Sequence, residues 1–123
     1  MEETKKKFTP EELAELCAKL AGDKLANDIA TLRIDPEAGM SDYFVVATCD
    51  SEPQLQAVSS HVERTLRDEW ALRPVSENTG VGTGGWILLD YGTVVVHLML
   101  PEIRLRYNLE GLWRRVSDNR KNQ

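Results

Sequence analysis

The run Tyr43-Phe44-Val45-Val46-Ala47 is apolar throughout and rich in β-forming residues. A strand with one wet face alternates apolar and polar side chains, so a strand lacking that alternation must be covered on both faces. This run therefore reads as the central strand of a sheet with packing layers on its two sides. The rest of the chain has to supply those layers and the flanking strands.

Three helices are written into the sequence. Thr9-Pro10-Glu11-Glu12 forms a capping box, with Thr9 as N-cap, Pro10 at the first helical position and Glu12 at the third. Leu13, Leu16, Cys17 and Leu20 then fall on one face, and Gly22 is placed to end the helix in a left-handed cap. Ser51 and Gln54 make a second capping-box pair, with Pro53 in the first turn. Leu55, Val58, Val62 and Leu66 form the buried stripe, which Trp70 closes. Leu105, Leu109, Leu112, Trp113 and Val116 mark a last amphipathic helix.

Strands fill the intervals. Ile29–Ile34 alternates, with Ala30, Leu32 and Ile34 on one side, and 35–39 is turn chemistry. A short strand fits within Leu72–Glu77. Trp86–Asp90 and Val94–Met99 flank Tyr91-Gly92 as a tight hairpin, where Gly92 can take a positive φ, and Pro101 ends the second strand. The order α-β-β-α-β-β-β-α implies an α/β fold: one domain with a mixed β-sheet flanked by helices. The domain spans 9–116, with 1–8 and 117–123 expected as flexible terminal segments.

Size and charge limit what such a domain can do. The 123 residues suffice for one core, and no apolar run reaches the ~20 residues of a membrane-spanning helix. The N-terminus has lysines without a following apolar stretch, and acidic residues besides, so neither a signal nor a transit peptide is read there. Cys17 and Cys49 have neither metal-ligand spacing nor disulfide density, so a reduced cytoplasmic protein is expected. A formal net charge of −5 argues against direct, specific nucleic-acid binding and favours a basic protein as partner.

Four features of the sequence could carry chemistry. Gly80-Val81-Gly82-Thr83-Gly84-Gly85 satisfies G-x-G-x-x-G but runs into a strand, whereas a dinucleotide site needs the motif to open a helix; a mobile surface loop is the simpler reading. His61 lies beside the apolar stripe of its helix, at the surface. His97 reads as a strand-end histidine with one hydrogen-bond partner. Asp42 and Asp90 could share Mg²⁺ for nucleotidyl transfer, but each is a singleton among apolar neighbours, and turn roles explain both. No catalytic residue, metal site or cofactor is expected.

The hairpin offers a surface instead. Trp86, Leu88 and Asp90 face one way and Ile87 and Leu89 the other, so both faces are apolar. Either helices cover both, or one face is kept for a partner, with Trp86 as a natural anchor.

These residues carry a resemblance. The hairpin string Gly85–His97, the strand Ser41–Ala47 and the closing segment Arg104–Trp113 together resemble the Iojap family, the ribosomal silencing factors, in order over roughly residues 10–113. The chain departs from the family pattern at Thr93, at Glu77-Asn78 and at Arg106. The resemblance implies a nucleotidyltransferase-like fold without the catalytic carboxylates. It also implies binding to the large ribosomal subunit through its fourteenth protein, steric blocking of subunit joining and repression of translation. Trp86 is the expected anchor of that interface, with Tyr91 and Met99 as apolar neighbours and Asp90 and His97 as polar ones. The resemblance admits a homodimer of the free form and a bacterial cytoplasm as home. Two other readings stand beside it: a residual nucleotidyltransferase, and a homodimeric adaptor without ribosome contact.

Overall fold

The apolar run Tyr43–Ala47 does lie inside a sheet. A computed structural model describes residues 8–34, 41–78 and 84–111. The elements are α1 (Pro10–Asp23), β1 (Asn27–Arg33), β2 (Tyr43–Thr48), α2 (Glu52–Trp70), β3 (Ser76–Asn78), β4 (Trp86–Asp90), β5 (Val94–Met99) and α3 (Pro101–Tyr107). Their order is the one expected. The turn at 35–39, most of the glycine run, and Leu112, Trp113 and Val116 lie outside the described residues, as do both terminal segments except Phe8. That residue packs on the domain, its ring 5.4 Å from Trp70.

The five strands run β1-β2-β5-β4-β3 across the sheet. The β2–β5 pair is parallel, starting at Tyr43↔Val94, and the other pairs are antiparallel. A parallel pair cannot be joined by a tight turn. The crossover here is supplied by α2, β3 and β4.

The two sheet faces are unequally covered. On one, Leu13, Cys17 and Leu20 of α1 and Leu55, Val58, Val62 and Leu66 of α2 close over Val45, Ala47, Ile87, Leu89, Val96 and Leu98. Each buried Leu, Ile or Val among them contributes about 1.5–3 kcal/mol, which makes this face the main source of stability. The other face gathers Ile34, Phe44, Val46, Val95 and Met99, with Leu32, Trp86, Leu88, Ile103 and Leu109 packed around them only partly buried. Its helix, α3, has seven residues and none of them is buried.

Helix ends follow the sequence in part. Thr9 Oγ1 accepts the Glu12 N–H at 3.1 Å and Glu12 Oε1 accepts the Thr9 N–H at 3.0 Å, closing the first capping box. At the second helix Ser51 Oγ accepts the Gln54 N–H at 3.2 Å, but Gln54 Oε1 takes the Asp50 N–H instead of that of Ser51. Gln54 Nε2 also donates to the Lys24 carbonyl, tying the start of α2 to the end of α1.

Gly22 is not the left-handed cap of α1. The helix runs on to Asp23, and Leu25 takes the positive φ of 68°. Its N–H donates to Gly22 O, while the Ala26 N–H reaches back to Ala21 O, the two bonds of a Schellman motif. The expected last helix is broken too. Asn108, at φ 46°, ends α3, and its Oδ1 accepts the Gly111 N–H at 3.3 Å, so it caps the helical turn that follows. Asparagine is among the few residues that adopt this conformation readily.

Candidate docking face

The site grows from the two-residue period of β4. Trp86, Leu88 and Asp90 are half-buried on the thinly covered face, and Ile87 and Leu89 are buried beneath the helices of the other. Register then sets their neighbours on β5: Trp86 pairs with Met99, Leu88 with His97 and Asp90 with Val95.

Trp86 is held from two sides. Its indole Nε1–H donates to His97 Nδ1 at 3.1 Å. Its ring lies 5.0 Å from that of Tyr107, which is 51% exposed. His97 in turn packs on Phe44, with centroids 4.6 Å apart. Indole N–H is only a donor, so Nδ1 must be the acceptor and the proton of the neutral imidazole sits on Nε2. Burial pushes the His97 pKa down to about 4, opposed by the nearby charge of Asp90, so the ring is neutral at physiological pH. His97 is also not at a strand end: β5 continues to Met99, and the histidine sits inside the sheet.

The remaining expected site residues divide. Asp90 stays on this face, half-buried at its edge. Its Oδ1 accepts the Gly92 N–H at 2.8 Å and its carbonyl takes the Val75 N–H, so the carboxylate builds the hairpin turn. Gly92 has φ 89°, which a side chain would strain. Met99 is fully buried, opposite Trp86 on the neighbouring strand rather than at the surface. Tyr91 is on the wrong side: the alternation that exposes Trp86 puts Tyr91 with Ile87 and Leu89, buried at 7% in the helix-covered core. Neither Met99 nor Tyr91 is available to touch a partner of the folded chain.

Two contributors were missed. Leu88 lies between Trp86 and Asp90 on the same face, as alternation already implied. Tyr107 carries no local signal for its role, because the contact with Trp86 joins residues far apart in sequence. Arg104 holds this part of the chain in place. Its guanidinium grips Glu110 bidentately at 2.9 and 2.7 Å, reaches Thr48 Oγ1 at 2.9 Å and donates to the Asp28 carbonyl. The clamp spans the helix break at Asn108 and fastens α3 to the ends of β1 and β2.

The alternative chemistries have little geometry behind them. Asp42 precedes β2 and Asp90 ends β4, with β5 between them, so their backbones are separated by two strand spacings, about 10 Å. No group of three or more His, Cys, Asp or Glu among the described residues could hold a metal ion. Gly85, the last glycine of the G-x-G-x-x-G run, has φ 86°, and a Cβ there would meet Leu100 Cδ1 at 2.7 Å. It is a packing glycine at the root of β4. His61 lies across the sheet from Trp86, 3.2 Å from Asp23. No helix among the described residues is long and apolar enough to cross a membrane.

Comparison with known proteins identifies the family of the whole chain. The family model described as Ribosomal silencing factor during starvation (RsfS) matches residues 7–123. The ribosomal silencing factor RsfS of Zymomonas mobilis is 34% identical over 106 residues, covering 86% of this chain and 78% of its own. A mouse protein named mitochondrial assembly of ribosomal large subunit protein 1 is 31% identical over 100 residues; these cover 80% of this chain but 44% of the longer mouse protein. A crystal structure from Chromobacterium violaceum superposes with a TM-score of 0.78 at 32% identity, covering 86% of this chain and 87% of that one. Ribosomal silencing factors are a non-enzymatic regulatory family. On this sequence and structural similarity the chain belongs to the ribosomal silencing factor family, and its role is ribosome-associated silencing rather than catalysis.

Proposed function

We propose that the face carrying Trp86 docks on the fourteenth protein of the large ribosomal subunit, and that the bound chain bars the small subunit from joining. The observation that carries this reading is the uneven cover of the sheet. One face is sealed by two long helices, while the other leaves Trp86 and Leu88 half-buried, with the half-exposed Tyr107 against the Trp86 ring. Aromatic side chains presented on an apolar face are common anchors of protein interfaces, tryptophan and tyrosine above all. A net charge of −5 favours a basic ribosomal protein over bare RNA. The name of the mouse relative also points to the large subunit. Steric exclusion needs affinity and bulk and no reaction, and a bacterial cytoplasm is the corresponding home.

Trp86 and Asp90 are the surface residues of this site; His97 and Met99 lie beneath it, and Tyr91 is left out. Co-sedimentation with isolated large and small subunits tests the assignment, with Trp86→Ala alongside and its folding checked by circular dichroism. Selective pelleting with the large subunit, lost in a folded Trp86→Ala, is the expected result. Equal pelleting of parent and variant would move the docking site elsewhere. No pelleting at low salt would favour the adaptor reading.

A further inference from the structure

We infer that His97 is a positioning residue of the docking face: it acts on the partner only through Trp86, by holding the indole in one orientation with Nδ1 as acceptor. The inference rests on the proposed docking role of Trp86. It starts from an oddity of β5, whose other residues, Val94, Val95, Val96, Leu98 and Met99, are all apolar and buried. His97 is 4% exposed, so it has almost no surface to offer a partner. Among the described residues its Nε2 has no hydrogen-bond partner. A buried polar atom left unpaired weakens a fold, and an apolar side chain would serve the sheet better at this position. What a histidine adds here is a single acceptor aimed at Trp86.

The geometry supplies the rest. The Nε1–H of Trp86 meets Nδ1 at 3.1 Å, and the two rings lie 5.8 Å apart. Phe44 packs against the imidazole and Tyr107 against the indole, so the four rings form a chain from the core to the surface. An anchor fixed before docking loses less freedom when the partner arrives, and freezing one such side chain is worth up to about tenfold in affinity.

Three proteins test this: the parent, His97→Phe, which keeps a ring but no acceptor, and His97→Asn, whose Oδ1 stands close to where Nδ1 stood. His97→Leu replaces the Phe variant if the larger ring does not fold. In ¹H–¹⁵N spectra, with the Trp86 indole assigned through Trp86→Phe, the N–H signal should exchange slowly in the parent and in His97→Asn, and lose that protection in His97→Phe. Affinity for the large subunit should fall by about two- to tenfold in His97→Phe and recover in His97→Asn, with unfolding midpoints within about 3 °C of the parent. Unchanged affinity in His97→Phe would overturn the inference. So would weak binding by His97→Asn with its indole signal intact, since His97 would then touch the partner itself. If the parent does not bind the large subunit, the docking reading fails, and the indole signal alone still decides whether His97 holds Trp86.

Discussion

Acidification should weaken this fold through His97 in a way that one substitution removes. The imidazole has an ordinary pKa of 6.5 and is held at about 4 in the folded chain, chiefly by burial and against the opposing charge of Asp90. A depressed pKa means that the unfolded chain takes up the proton first. The stabilisation is therefore complete above pH 6.5, declines as pH falls below that value and is gone below about 4. The 2.5-unit difference between 6.5 and 4 corresponds to about 3 kcal/mol, a large share of the stability of a small domain. Protonation also removes the Nδ1 lone pair that receives the Trp86 N–H, so the loss falls on the face that carries Trp86.

Carboxylates titrate over part of the same range, so the useful quantity is the difference between the parent and His97→Phe. Urea unfolding followed by far-ultraviolet circular dichroism, repeated from pH 7 to pH 4.5, measures it. The parent should lose stability relative to the variant by up to about 1.4 kcal/mol per pH unit below 6.5. Parallel pH profiles would mean that His97 titrates alike in folded and unfolded chains and contributes nothing to the acid sensitivity.

Three further predictions concern the scaffold. Leu25→Gly should stabilise the fold by about 0.5–1 kcal/mol in denaturant unfolding, because Leu25 is 79% exposed and sits at a φ of 68° that costs an L-residue more than it costs glycine. Arg104→Ala should cost about 2–3 kcal/mol, since it removes the bidentate grip on the partly buried Glu110 and frees α3; hydrogen exchange should show the loss concentrated at Pro101–Tyr107. Cys17 and Cys49 are buried thiols whose pKa values burial pushes up to about 12 and about 11. Both should resist iodoacetamide at pH 8 in the native chain and react once urea unfolds it.

Much of this architecture is legible in short-range patterns. Hairpin and helix signals are local, so the element order, the Thr9 capping box and the bounds of β4 and β5 can be read directly from spacing. The alternation in β4 even assigns Tyr91 to the opposite face from Trp86, although grouping it with the anchor overrode that parity. What stays hidden is three-dimensional. Gly22 looks like the helix stop because glycine favours a left-handed cap, yet the turn into β1 selects Leu25, at a conformational cost. The apolar spacing of Leu105 and Leu109 resembles one continuous helix, but Asn108 breaks it and leaves Leu105 exposed. Sequence also cannot say which sheet face the two long helices choose. That choice separates the sealed core from the aromatic rim, and the Trp86–His97 bond follows from the cross-strand register.

If this chain silences by occupying a docking surface, subunits that carry it cannot join, and an in vitro subunit-joining assay measures that step. Isolated large and small subunits are mixed with and without the protein at increasing ratios, and joined particles are separated on sucrose gradients. Joining should fall in step with occupancy of the large subunit and return when folded Trp86→Ala replaces the parent. Full joining on large subunits that still carry the bound protein would rule out silencing by occlusion.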